Sequence, residues 1–260
     1  MSEFNINVDG PVMWAEIDRP EANNAINYAV MDGLEQAVTR LEQDEELRVF
    51  VLTATGDKAF AAGGDLKEFH TIRSEEEART MSQKMITLLR RLTELPCITI
   101  ACLNGDAYGG GVEIALAFDI RITAAHARLG LTQGRFYLPP GWGGLTRLVN
   151  IVGESTALLW LSSHKLIDAR TAMEYRLVDD VIPSDRILDS TKKLAHDIAG
   201  KSDRRMIRAY KDGASKAKGP DIGAAIGEEV KTFSGFWANE EHFRRVDAFI
   251  AGKANKRAGN

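Results

Sequence analysis

The chain has 260 residues, 44% of them hydrophobic and 27% charged, and a formal net charge of −4. That is enough chain to bury a large core as one domain, or as a domain with a smaller appendage, and the acidic balance argues against a nucleic-acid partner. There is no apolar run of about 18 residues and no basic-then-apolar leader, so neither a membrane span nor secretion is expected.

Val12 to Asp18 alternates apolar and polar residues as an early strand would, and Arg19-Pro20 ends it. Asn27 is placed to cap a helix through about Asp44, with Val30, Met31, Leu34, Ala37, Val38 and Leu41 as its apolar stripe. Val49 to Ala54 reads as a buried strand and Gly56-Asp57 as a turn. Ala59 to Phe69 (AFAAGGDLKEF) then sets Gly63 and Gly64 after a run of small residues, with Asp65 as the cap of a short helix from Leu66. Glu75 to Leu95 has helical spacing, with Met81, Met85, Leu88, Leu89 and Leu92 on one side, and Pro96 ends it.

Cys97 to Leu103 is β-branched and almost wholly apolar, like a strand buried on both faces. Its two cysteines, Cys97 and Cys102, fall on opposite faces and cannot bridge each other, so they read as small core residues of a reducing, cytoplasmic compartment. The strand runs into Asn104 to Ala117 (NGDAYGGGVEIALA), where three consecutive glycines precede a helical pattern. Such a turn serves either packing or the close approach of a ligand to backbone. Amides at a helix start point outward unpaired and carry partial positive charge, which suits an oxyanion. Glu113 is the only ionisable group of that first turn, so the stretch reads as an oxyanion hole with a carboxylate beside it. Gly63 and Gly64 offer a second set of amides, provided the two stretches converge.

Ile120 to Thr123 and Arg128 to Leu131 are short extended segments, and Thr132 to Gly144 (TQGRFYLPPGWGG) is a loop. Helices follow over Leu145 to Val152, Ser155 to Leu161 and Ala169 to Arg176, the last capped by Asp168, and Val178 to Ile182 returns as a strand. Everything after Asp185 reads helical. The architecture is thus an α/β core over residues 1–185 and a helical region over 186–260. The apolar stripes of that region must cover something, either its own core or a neighbouring subunit.

RPEANNAIN (Arg19 to Asn27), AFAAGGDLKEF, NGDAYGGGVE, PPGWGGLTRLVNIVG (Pro139 to Gly153), LIDARTAMEYRLVDDVI (Leu166 to Ile182) and GKANK (Gly252 to Lys256) occur in one order along the chain. Together they resemble the crotonase superfamily, the enoyl-CoA hydratase/isomerase family, over essentially the whole length. The resemblance implies an α/β spiral of ββα turns with a C-terminal helical trimerisation region, giving homotrimers or hexamers. It implies an acyl-CoA substrate, with coenzyme A as part of that substrate and no further cofactor. The thioester enolate would be stabilised by the amides of Gly64 and Gly110. Of the two glutamates that hold one water in the family's hydratases, the first matches Glu113, whereas the second position holds Gln133, which can hold water but cannot move a proton at neutral pH.

Hydration of a 2-enoyl-CoA is therefore weighed against decarboxylation of a malonyl-type CoA. The GWGGLTRLVNIVG segment resembles the ethylmalonyl-CoA and methylmalonyl-CoA decarboxylase branch, which also tends to lack the second glutamate. A reading of another class is an acyl-CoA-binding protein without catalysis, against which stands the cost of burying Glu113. By resemblance, Ala25, Ile26, Ala61, Ala62, Gly63, Asp65 and Leu66 belong to the CoA-binding segments and Lys253 meets a phosphate. Tyr137, Trp142 and Tyr108 either line the acyl or carboxylate pocket or pack as the aromatics of a loop. Asn23 stands where relatives often carry a basic residue. His70, His126, His164, His196 and His242 are scattered, and no metal cluster, Walker lysine or dinucleotide fingerprint accompanies the glycines.

Overall fold

Alternating residues at the N-terminus build a hairpin, β1 (Phe4–Asp9) and β2 (Val12–Ile17), joined at Gly10, whose φ is +58°. In this computed structural model, which describes residues 2–217 and 222–258, α1 (Tyr28–Gln43) follows, and the Asn27 side chain accepts from the Val30 amide as its cap. Next come β3 (Val49–Ala54), β4 (Ala59–Ala61), α2 (Leu66–Phe69) and α3 (Glu75–Glu94). After them the chain forms β5 (Ile98–Leu103), β6 (Asp106–Tyr108), α4 (Gly110–Ala115), β7 (Ile120–Ala124) and β8 (Arg128–Gly130). The remainder is α5 (Gly144–Val152), α6 (Glu154–Ser163), β9 (Ile167–Asp168), α7 (Ala169–Glu174), β10 (Asp180–Ile182), α8 (Ile187–Lys201), α9 (Arg204–Ala217), α10 (Ile222–Trp237) and α11 (Glu240–Ala258).

The strands alternate between two sheets. β1-β2-β3-β5-β7-β10 form one and β4-β6-β8-β9 the other, so each turn of chain lays one strand in the large sheet and one in the small. Within this spiral the pairs are parallel except β1 with β2 and β8 with β9. It matches the ββα turns that the resemblance implies. All six residues of β3 are buried, as expected of a central parallel strand covered on both faces. On one face lie α1 and α3, which bury Leu34, Val38, Met85 and Leu89. On the other lies α8, against Val49, Val51, Ile100 and Cys102. Cys97 and Cys102 thus belong to different apolar clusters on opposite sides of the sheet, and both are free thiols.

Two strand features depart from the sequence expectation. β1 was not expected as a strand, because its polar positions Asn5 and Asn7 break any apolar run and its pairing is with β2 across a tight turn. In the small sheet β8 answers to the extended segment expected over Arg128 to Leu131, but β6 and β9, of three and two residues, are too short for a periodic pattern. In the C-terminal region, α10 packs along α3 and the start of α5 of its own chain, so its apolar stripe covers its own core. No helix among the described residues is long and apolar enough to cross a membrane.

Candidate active site

Parallel pairing of β4 with β6 brings together the two glycine stretches that follow them, since Ala59 stands opposite Asp106 and Ala61 opposite Ala107. A methyl group added to Gly63 would lie 3.5 Å from the Gly110 nitrogen, and one added to Gly111 would lie 2.5 Å from the Ala61 carbonyl oxygen. The bends that permit this approach are at Gly63 and Gly109, with φ of +100° and +51°. Among the described residues, neither the Gly64 amide nor the Gly110 amide donates to a protein acceptor. Ile26 lies alongside: its amide donates to Gly63 O (2.8 Å), and Asp65 donates to Ile26 O (2.8 Å). The Ala25-Ile26 and Ala61 to Gly64 segments are therefore one continuous backbone surface, closed by Ala62 N–H on Asn23 O (3.1 Å).

One helical turn beyond Gly110, Glu113 points inward and is only 2% exposed. Its Oε2 accepts from Trp142 N (2.7 Å) and Gly144 N (2.9 Å), and its Oε1 from Gln133 Nε2 (2.7 Å) and, at 3.3 Å, from Gly141 N. Burial is the main cause that pushes its pKa up to about 7, followed by the charge of Glu229, while the three amides pull the other way. A carboxyl group with that value populates both protonation states near neutral pH, as a proton carrier must. Oε1, with one short and one long bond, is the oxygen better able to accept another partner. The 139–144 loop is anchored to α3 by Ser82 Oγ, which donates to Gly141 O (2.5 Å).

Gln133, placed by a 3-10 turn over Gln133–Phe136, directs its amide group at Glu113 and leaves Oε1 buried without a partner among the described residues. The Trp142 ring lies over Gly110 and within reach of Gly64, 3.8 Å from where a methyl on Gly64 would stand. It walls the point where the two glycine stretches meet. Asp65 caps α2 through Lys67 N and forms an ion pair with Arg19 at 2.9 Å, so its carboxylate is engaged in holding the loop. Leu66 begins α2 directly behind it. Tyr108 Oη donates to Asp106, and burial, followed by this bond, pushes its phenol up to about 12 and keeps it neutral. Tyr137 is 36% exposed; its ring stacks at a tilt on Phe236 under the Arg245 guanidinium, and it makes no described contact with Gly110 or Glu113. The Lys253 side chain lies outside the described residues.

Two charged residues absent from the sequence reading complete the surroundings. Glu229, on α10, accepts from Leu145 N (3.2 Å) and Thr146 N (2.5 Å), and Arg147 Nη1 donates to Trp142 O (2.9 Å). The signal was present for Glu229: it falls on the buried stripe Ile226, Val230, Phe233, Trp237, where an acid is costly unless paired. Gly144 has no room beside Glu113, because an added methyl would come within 2.5 Å of its Cγ and 2.6 Å of Oε2. Gly144→Ala is expected to displace the carboxylate and lower turnover at least about tenfold with the fold retained, read by steady-state kinetics beside circular dichroism. Among the described residues no group of His, Cys, Asp and Glu is arranged to hold a metal ion.

Comparison with known proteins gives the family of the chain. The family model described as enoyl-CoA hydratase/isomerase matches residues 8–254. The chain is 32% identical over 236 residues to a crotonyl-CoA hydratase of Syntrophomonas wolfei, covering 90% of this chain and 89% of that one. It is 31% identical to a 2,3-dehydroadipyl-CoA hydratase of Escherichia coli, with 96% of each chain covered. Among solved structures, an enoyl-CoA hydratase from Bacillus anthracis superposes with a TM-score of 0.80 at 29% identity, covering 96% of both chains.

Proposed function

The chain belongs to the enoyl-CoA hydratase/isomerase family, and from that membership we propose that it hydrates a 2-enoyl-CoA through an oxyanion hole formed by the Gly64 and Gly110 amides. The observation that carries this reading is the convergence of two glycine stretches, whose Gly64 and Gly110 amides have no acceptor among the described residues, beside one buried carboxyl group. The thioester oxygen takes the two N–H groups, and because it gains charge as the enolate forms, fixed donors help the transition state more than the substrate. Water attacks the β-carbon and gives its proton to Glu113 Oε1, while Gln133 Oε1 accepts its remaining O–H. The same Glu113 proton then passes to the α-carbon, so one carboxylate serves both transfers. Main-chain groups of Ala25, Ile26 and Ala61 to Gly63, flanked by Asp65 and Leu66, cradle the CoA portion, and the Trp142 ring bounds the acyl group.

Decarboxylation of a malonyl-type CoA is the second reading, favoured by Gln133 in place of a second acid: loss of carbon dioxide forms the enolate directly, and a single acid protonates it. Incubation with crotonyl-CoA and with ethylmalonyl-CoA separates the two, and the pH profile adds a sign. Hydration begins from the Glu113 carboxylate, so kcat/KM rises with pH through about 7; decarboxylation ends on the Glu113 acid, so it falls through the same region. Turnover of neither thioester would leave the acyl-CoA-binding reading. Association into a homotrimer through the C-terminal helices, or a hexamer of two trimers, belongs to the same proposal. Light scattering would then give three or six times the 28.6 kDa of the chain.

A further inference from the structure

We propose that Glu229, carried by the C-terminal helix α10, is a positioning residue for Glu113: the two carboxylates divide the backbone amides at the start of α5, and Glu229 with Arg147 sets the field in which Glu113 exchanges its proton. The inference rests on the proposed role of Glu113 as proton carrier. Gly141, Trp142 and Gly144 donate to Glu113, and Leu145 and Thr146, the next two residues, donate to Glu229. A shift of α10 is thereby transmitted through one rigid turn to the catalytic candidate. Both acids act on the buried Arg147 guanidinium, whose Nη1 bonds Trp142 O, and a methyl on Gly143 would lie 2.5 Å from it.

Among the described residues no other charge faces this group from the elements around it. The buried side of α3 is Ala78, Met81, Ser82 and Met85, and α11 directs His242 at Phe136 O and Arg245 at Gly134 O. Among the described residues Arg147 is the charge that acts on Glu229, and the charge of Glu229 is second only to burial in raising Glu113. Five amides of the 141–146 turn are spent on two acids, an arrangement that capping α5 alone, a task for one carboxylate, does not require.

The test titrates the Glu113 carboxyl directly, by infrared difference against Glu113→Gln in the full chain, so the readout does not depend on which thioester is turned over. In Glu229→Gln the midpoint is expected to move down from about 7 toward the ordinary carboxylate range, and in Glu229→Asp, which keeps the charge, to stay near its starting value. The pH limb of kcat/KM should move with it. An unchanged midpoint in Glu229→Gln, with or without a lower melting temperature, makes Glu229 a helix cap only and overturns the inference. Should Glu229→Gln not fold, Arg147→Met carries the test with opposite sign: the midpoint must rise, and no movement overturns the inference equally. A titration that shifts as expected while neither crotonyl-CoA nor ethylmalonyl-CoA is turned over would leave this inference standing and remove the proposed reaction.

Discussion

Glu113→Gln is expected to lower turnover about a hundredfold or more while acyl-CoA affinity is retained, the loss typical of a positioned acid–base group. The substitution keeps the size of the side chain and one acceptor oxygen but removes the exchangeable proton. Stability should respond in a way that marks the same group. The carboxyl's ordinary value is 4.5 and its folded value about 7, so between these the folded state binds more protons than the unfolded one. The parent therefore loses stability as pH rises from about 4.5 to about 7, and the variant loses that dependence. Its absolute stability need not rise, since the new amide N–H group would face donors that now meet carboxylate oxygens. Thermal melts at a series of pH values beside steady-state kinetics read both effects. Equal turnover in the variant would remove Glu113 from the mechanism.

Gly111→Ala is expected to cost about 1–3 kcal/mol of stability and roughly a hundredfold or more in turnover, because its methyl would stand 2.5 Å from the Ala61 carbonyl oxygen. A flexible side chain could yield; the backbone of β4 cannot without carrying Gly63 and Gly64 away from Gly110. The added methyl thus acts as a wedge between the two halves of the proposed oxyanion hole. Gly200→Ala is the control: it lies in α8 with nothing within 4 Å, so it should be neutral or stabilising by up to about 1 kcal/mol and leave kinetics alone. Denaturant unfolding and kcat/KM on both variants make the comparison.

The features legible in the sequence were those whose chemistry is local. Asn27, Asp65 and Asp168 cap the helices they precede, each through its own side-chain oxygen. The glycine runs stood out because three glycines in a row cost conformational entropy that ordinary packing does not repay. What was illegible depended on the register of distant segments. That Gly63 would lie against Gly110 follows from the β4–β6 pairing, and β4 has only three residues. Trp142 was expected at the acyl pocket, yet nothing local could tell that its ring would rest on Gly110 or that its amide would hold Glu113. Tyr137 was expected there too, but its ring packs on Phe236 of α10. Glu229 is 116 residues from Glu113 in the chain and joins it only because α10 folds back over α5.

A crystal structure with a bound acyl-CoA product analogue tests the central claim most directly. The account predicts the thioester oxygen about 2.7–3.1 Å from both the Gly64 and the Gly110 nitrogens, with the α-carbon beside Glu113 Oε1. A thioester oxygen bonded to neither amide, with the acyl chain directed away from Glu113, would contradict it.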